Sequence, residues 1–304
     1  MDDDGFLSEL APVAEEQYAR HVGAAKEWFP HEMVPWSRGR DFVEGEEFDP
    51  SEANLSEAAR SALLLNLLTE DNLPHYFHSI ASRFGSDDPW GQWNRRWTAE
   101  EGRHAIVIRD YLSVTRSIDL RELERARMLQ VSTGIVPDPP SLADGMVYVT
   151  LQELATRIAH RNTGELLEDP VGKAIMRRVA ADENLHHIFY REVSSAALEL
   201  DPSTVVAAIE RQVRTFAMPG IGIPDFKRHA RLIANAGVYD FSSYHDQILV
   251  PVIFKHWRID HLQNLKAAGE QARERLLLYI DRVGVAAKRM SDRLANARGV
   301  PAVS

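Results

Sequence analysis

Cysteine is absent from the 304-residue chain. Its absence excludes disulfides, thiolate zinc sites, iron–sulfur clusters and cysteine nucleophiles. Any bound metal ion must therefore be held by oxygen and nitrogen ligands. A chain without disulfides also fits a reducing compartment, and we expect a cytoplasmic protein.

Long apolar runs and an excess of positive charge are missing as well. The longest apolar runs, residues 62–68 and 248–254, are too short to cross a bilayer. The acidic start, residues 1–6, is followed by no apolar run, so we expect no signal peptide. A formal net charge of −10 argues against a nucleic-acid partner.

The apolar residues recur at helical spacing, and no alternating strand pattern runs beyond a few residues. We therefore predict an all-α fold and one domain over residues 1–304, with about 15 N-terminal and about 7 C-terminal residues flexible. The first strong helix is predicted over residues 55–82, with residues 51–54 as cap candidates. Pro74 predicts a kink there, because the carbonyl of Glu70 loses its hydrogen-bond donor. Residues 146–151 would also suit a strand, but the spacing around them favours a helix.

A Glu-x-x-His pair, Glu101 and His104, occurs twice in the chain. The same spacing returns 82 residues later at Glu183 and His186. On a helix, residues three apart lie on one face, so the carboxylate and the imidazole can reach the same point. A single pair of this kind is usually a surface pair. The repetition is what indicates a site.

Each pair is preceded by a glutamate on an apolar helix. Glu70 lies 31 residues before Glu101, and Glu153 lies 30 residues before Glu183. In an antiparallel helical hairpin this distance brings the two positions to the same height. Two such hairpins form a four-helix bundle with four glutamates and two histidines inside. That set can hold two iron or manganese ions and matches the pattern of di-iron carboxylate bundles.

Beyond the spacing, the local sequences resemble those of a known family, the soluble acyl-[acyl-carrier-protein] desaturases. The resemblance spans most of the chain. Gly102, His75, Asn184 and Leu185 differ from the plant members, and the pattern is more similar to the actinobacterial members. The matching segments are residues 69–76, 97–104, 152–156, 182–186, 237–239 and 257–262.

The resemblance implies a ferritin-like four-helix core with flanking helices and an oxo-bridged centre of two iron ions, with manganese as a possible substitute. It further implies a homodimer, an acyl carrier protein that bears the substrate, and a ferredoxin-type electron donor. Glu101 and Glu183 are expected to bridge the two ions. The expected ligands are Glu70, Glu101 and His104 for one ion, and Glu153, Glu183 and His186 for the other.

Three further residues receive roles from the resemblance. Thr156 matches a threonine thought to assist oxygen activation or proton delivery. Trp28 and Asp182, with His104, match a proposed electron route to the iron. Asp182 can also orient a ligand histidine by accepting its second N–H.

The reaction expected from the resemblance is oxygen-dependent introduction of a double bond into a carrier-bound saturated fatty acyl chain. Hydroxylation or another oxidation of a carrier-bound acyl or polyketide chain stays open, as does a non-catalytic metal-binding bundle. His187 follows a ligand but should point about 100° away from it. The acyl chain length, the double-bond position and the docking cluster are not assigned. The basic clusters that could dock the carrier are residues 121–127, 211–214, 227–231 and 255–258.

Overall fold

The computed structural model describes residues 3–51, 53–218, 220 and 222–297. These residues contain helices and connections but no strand, which confirms the predicted all-α class. In chain order the α-helices are α1 (Asp3–Ala24), α2 (Pro30–Met33), α3 (Glu57–Asp71), α4 (Leu73–Phe84), α5 (Asp88–Val114), α6 (Leu120–Thr133), α7 (Leu142–Leu166), α8 (Pro170–Leu200), α9 (Pro202–Thr215), α10 (Phe226–Asn235) and α11 (Ala267–Ala297).

Four of these helices form the centre of the fold. Helix α7 packs along α8, α3 packs against both α5 and α7, and α5 also contacts α8. Each of the two predicted hairpins is thus present, as α3 with α5 and as α7 with α8. Helix α1 packs across α5 and α8, α9 packs on α7, and α11 packs on α9.

The predicted kink is a break between α3 and α4. Helix α3 ends at Asp71, and Asn72 leaves the helical region with φ −73° and ψ 2°. Pro74 lies in the first turn of α4, where its missing N–H does no harm. Glu70 therefore lies in the last turn of α3. The cap of α3 is Ser56, whose hydroxyl accepts from the Ala59 N–H, and not a residue of 51–54.

Two other parts of the chain differ in their helical geometry. Residues 146–151 lie inside α7, as the helical interpretation predicts. Within residues 226–268, α10 is an α-helix, whereas Ser243–His256 has π-helical geometry and contains Pro251. Proline has no backbone N–H and cannot donate the hydrogen bond that an α-helical turn requires.

The N-terminal residues expected to be flexible are helical from Asp3 onward. Phe6, Leu10 and Ala14 of α1 are buried in the main hydrophobic core. The expected flexible C-terminus, residues 298–304, lies outside the described residues. Within the described part of the chain, no helix has both the length and the apolar character needed to cross a bilayer.

Asp144, in the first turn of α7, is a buried charge that ties α7 to α9. Arg211 donates to it at 3.0 and 2.7 Å, and the Gln212 side chain donates at 2.9 Å. Burial acts to raise the pKa of Asp144, but hydrogen bonds from Arg211, Ser141 and Gln212, with the charge of Arg211, together outweigh it and lower the pKa. The ionised carboxylate therefore stabilises the packing of α9 on α7.

We expect Asp144→Asn to lower the free energy of unfolding by about 2 kcal/mol, because it weakens charge-assisted bonds in a buried place. Since the pKa of Asp144 is lower in the folded chain, its contribution is present above the ordinary Asp pKa and is lost as the pH falls through the lowered one. Urea unfolding at several pH values measures both effects. Glu165→Gln, which removes an exposed ion pair with Lys173, is the control and should change stability by less than about 0.5 kcal/mol. Equal losses in the two variants would contradict this role of Asp144.

Candidate metal centre

The six residues predicted as metal ligands come from the four central helices. Helix α3 carries Glu70, α5 carries Glu101 and His104, α7 carries Glu153, and α8 carries Glu183 and His186. All six side chains are buried. The hairpin geometry inferred from the two spacings thus brings them to one place in the middle of the bundle.

The six residues form two overlapping groups. One contains Glu70, Glu101, His104 and Glu183; the other contains Glu101, Glu153, Glu183 and His186. Within each group, one possible ligand atom per residue lies within 4.8 Å of the others. Glu101 and Glu183 belong to both groups. This arrangement suits two neighbouring cations that share two carboxylates.

Both histidines turn the same ring nitrogen toward the centre. His104 Nδ1 lies 3.1 Å from Glu183 Oε1 and 3.3 Å from Glu101 Oε2. His186 Nδ1 lies 2.8 Å from Glu101 Oε1 and 3.6 Å from Glu153 Oε2. The Nε2 atoms point outward to other acids. Each imidazole can therefore bind a cation with Nδ1, while His186 Nε2 bonds Glu100 at 2.9 Å and His104 Nε2 faces Asp182 at 3.5 Å without a hydrogen bond.

Several buried atoms at the centre make no hydrogen bond: Glu101 Oε1, His104 Nδ1, Glu153 Oε2, Glu183 Oε1 and His186 Nδ1. Buried polar atoms without a partner are rare in proteins, because their desolvation is not compensated. All five are ligand atoms of the kinds that iron and manganese accept. The donor set fits a pair of metal ions.

The electrostatics of the cluster also favour cations. Burial acts against the charged imidazole, yet Glu101 and Asp182 raise the pKa of His104 well above its ordinary value. In the same way, hydrogen bonds with Glu100 and Glu101 overcome burial and raise the pKa of His186. Burial, reinforced by neighbouring carboxylates, raises the pKa of Glu153 well above its ordinary value. The carboxylates thus hold protons on their neighbours, a role that metal ions can take over.

The three residues predicted to act beside the ligands contact them directly or through one another. Thr156 Oγ1 donates to Glu183 Oε2 at 2.6 Å. Trp28 Nε1 donates to Asp182 Oδ2 at 2.8 Å, and the same oxygen lies 3.5 Å from His104 Nε2. The structure therefore places all three at the centre, with Thr156 on a ligand shared by both groups.

Four other residues at the ligands were not predicted to act there. Glu100 bonds His186 Nε2 at 2.9 Å, and His21 contacts the same carboxylate at 2.9 Å. His160 bonds Glu70 at 2.8 Å. Trp97 Nε1 donates to Glu153 at 3.1 Å. For Glu100 a signal existed, since it precedes Glu101 just as the acid Asp182 precedes Glu183.

His187 follows the prediction and points away from the centre. Its Nδ1 lies 2.9 Å from the carbonyl oxygen of Thr150. Burial lowers the pKa of His187 to about 3, so the ring is neutral.

A small apolar pocket of about 40 Å³ lies beside the cluster, between α4, α5 and α7. At one end it is bounded by Trp97, which bonds the ligand Glu153, and by Gln152, the residue before that ligand. At another point its wall is Arg83, which bonds the exposed Asp138 at 2.7 Å. The remaining lining residues are Tyr76, Ser79, Ile80, Phe84, Val136, Pro137, Pro139, Gly145, Tyr148 and Val149.

Comparisons with known proteins agree with this picture. A family model described as fatty acid desaturase matches residues 3–302. DesA1 of Mycobacterium tuberculosis, named as an acyl-[acyl-carrier-protein] desaturase, is 44% identical over 95% of this chain and 90% of its own length. The chloroplastic acyl-[acyl-carrier-protein] desaturase 6 of rice is 32% identical over 97% of this chain and 75% of its own length.

A solved structure is similar as well. The structure of DesA2 from Mycobacterium tuberculosis, titled as an acyl-ACP desaturase, superposes with a TM-score of 0.71 at 26% identity. The match covers 88% of this chain and 99% of DesA2. Sequence and fold therefore agree, and the chain belongs to the fatty acid desaturase family, among the acyl-[acyl-carrier-protein] desaturases, which are oxidoreductases.

Proposed function

We propose that this protein is an oxygen-dependent di-iron desaturase that introduces a double bond into a saturated fatty acyl chain held on an acyl carrier protein. The observation that carries the proposal is the overlap of the two ligand groups at Glu101 and Glu183. Two shared carboxylates would hold two metal ions close together, as chemistry that reduces dioxygen on a pair of ions requires. The apolar lining of the pocket beside Glu153 suits an acyl chain, and the pocket must widen to admit one because its volume is about 40 Å³.

When bound, the iron pair would supply the oxidising power: dioxygen, with two electrons from the donor and two protons, takes two hydrogen atoms from neighbouring carbons, and its two oxygen atoms leave as two waters. The protein's own residues hold and shield the centre. Thr156 holds one oxygen of Glu183 through its hydroxyl and can pass a proton to or from that carboxylate. Trp97 and His160 fix Glu153 and Glu70, so that the ligands keep their places.

The pocket performs the positioning. Its walls next to the cluster, Tyr76, Trp97 and Tyr148, are aromatic and exclude water from the chain. Met146, Leu151 and Phe189 are buried in the core and do not line this pocket. The fit between chain and pocket decides which carbons lie at the metal ions.

Partners complete the proposal: an acyl carrier protein, a ferredoxin-type electron donor and a second copy of the chain, all in the cytoplasm. On α6, Met128, Leu129 and Val131 expose large apolar surface, and Ile135 follows nearby. A patch of this kind supports burial against a second copy.

Contacts within the protein reduce the number of basic clusters that are available to dock the acidic carrier protein. In two of the four basic clusters, Arg127 and Arg211 donate to the buried aspartates Asp71 and Asp144. The clusters at residues 227–231 and 255–258 are freer of such buried partners and are the better docks for an acidic protein.

Incubation with iron, a reductant, dioxygen and acyl carrier proteins of several chain lengths tests the function directly. Mass spectrometry should show a product lighter by two hydrogen atoms. A product heavier by one oxygen atom would identify a hydroxylase and contradict desaturation. No product at all, from protein loaded with two irons, would contradict both reactions.

Anaerobic titration with Fe(II) should give two bound ions per chain. Glu101→Gln should abolish tight binding of both ions, because Glu101 belongs to both groups. Glu70→Gln should weaken mainly one of them, since Glu70 belongs to one group. Glu165→Gln on the surface is the control and should bind two. Equal losses in the Glu101 and Glu70 variants would contradict the sharing of Glu101.

Thr156→Val should keep two irons but lower product formation about tenfold, because it removes the hydroxyl that contacts Glu183. Thr156→Ser keeps a hydroxyl and should retain most of the activity. Turnover rates of iron-loaded protein measure the difference. Full activity in Thr156→Val would leave Thr156 without a catalytic role.

A further inference from the structure

The acid before each Glu-x-x-His pair reaches the histidine of the other pair. Asp182, before Glu183, lies 3.5 Å from His104 Nε2. Glu100, before Glu101, lies 2.9 Å from His186 Nε2. Each half of the repeat therefore supports a ligand of the opposite half.

The contact at Glu100 is built from buried groups. Glu100 is 3% exposed, His21 is 3% exposed, and His186 is fully buried. One oxygen, Glu100 Oε2, lies 2.9 Å from both His21 Nε2 and His186 Nε2. Arg96 donates to the other oxygen at 2.6 Å. A carboxylate this deep in the protein is held by charged and polar neighbours on both oxygens.

His21 is placed by the aromatic residues around it as well as by Glu100. Its ring stacks on that of His186 with centroids 5.7 Å apart. The edge of Trp93 meets it at 5.0 Å. His21 lies on α1, outside the four ligand-bearing helices, so α1 reaches the centre through this one side chain.

We propose that Glu100 and His21 are positioning residues for the metal ligand His186, and that α1 is thereby part of the metal centre. This inference rests on the proposed function. A carboxylate that accepts the outer N–H of a ligand imidazole fixes the ring and raises its basicity toward the metal ion. Glu100 does so for His186, and His21 holds the Glu100 oxygen in place.

The two acids that face the predicted ligand histidines are held by different residues, so the inference predicts a different effect for the loss of each acid. Asp182 is held by the indole N–H of Trp28, and Glu100 by the imidazole of His21. Both anchors come from the N-terminal part of the chain, yet each serves one histidine. Loss of Glu100 should therefore affect the ion at His186, and loss of Asp182 the ion at His104.

The test compares Glu100→Gln, His21→Gln and Asp182→Asn in the full chain, with Glu165→Gln as the control. Iron affinity is measured by competition with a chelator, and the two iron environments are followed by Mössbauer spectroscopy. Glu100→Gln should weaken one of the two ions by about 10- to 100-fold and change its signal alone. His21→Gln should change the same signal by a smaller amount, and Asp182→Asn should change the other one.

Wild-type affinity and an unchanged spectrum in both Glu100→Gln and His21→Gln would overturn the inference. So would equal loss of both ions in Glu100→Gln, since that indicates general damage. His21→Gln leaves the carboxylate in place and carries the test if Glu100→Gln does not fold. Wild-type protein that binds two irons but forms no product would refute the proposed function alone; wild-type protein that binds fewer than two would refute both.

Discussion

The burial of four carboxylates around two imidazoles is the constraint on which the rest of this structure depends. Like charges without water repel one another strongly, and the bundle gains nothing from them unless cations are present. The oxygen and nitrogen atoms at the centre that lack a hydrogen-bond partner indicate the same need for cations. Helix packing alone would be better served by apolar residues at these positions. The metal ions proposed to bind here would account for these buried acids.

Residues around the cluster hold its side chains in place and balance its charge, some next to the predicted ligands and some farther out. Neighbouring donors such as Trp97, Thr156 and His160 each take one ligand oxygen and leave another free for a cation. Farther out, Arg96 and Arg103 face the acids behind the histidines and balance their charge. The break at Asn72 ends α3 directly after Glu70, so the terminal turn of a helix presents this ligand.

The sequence was most informative where chemistry repeats at helical spacing. The six ligand positions and the two hairpins follow from a pair of intervals and from the geometry of an α-helix. The resemblance to a family added Thr156, Asp182 and Trp28, and the structure places these three beside the ligands. The interruption near Pro74 was predicted because proline has no N–H to donate to the carbonyl of Glu70.

What the sequence did not indicate depends on contacts between distant segments. His21 reaches Glu100 across 79 residues, and although it continues the buried face of α1, helical spacing alone does not show which residue of α5 or α8 that face meets. The chain has twelve histidines and six tryptophans, and the sequence does not show that His160 and Trp97 are among those that reach the predicted ligands. The cap of α3 at Ser56 and the π-helical geometry of Ser243–His256 are local features. The sequence around each of them is compatible with more than one outcome.

The most direct measurement is anomalous X-ray diffraction at the iron edge from crystals of the iron-loaded protein. The account predicts two iron peaks about 3.5–4 Å apart, each next to one histidine, with Glu101 and Glu183 in contact with both. A single peak, or iron located away from these carboxylates, would contradict it.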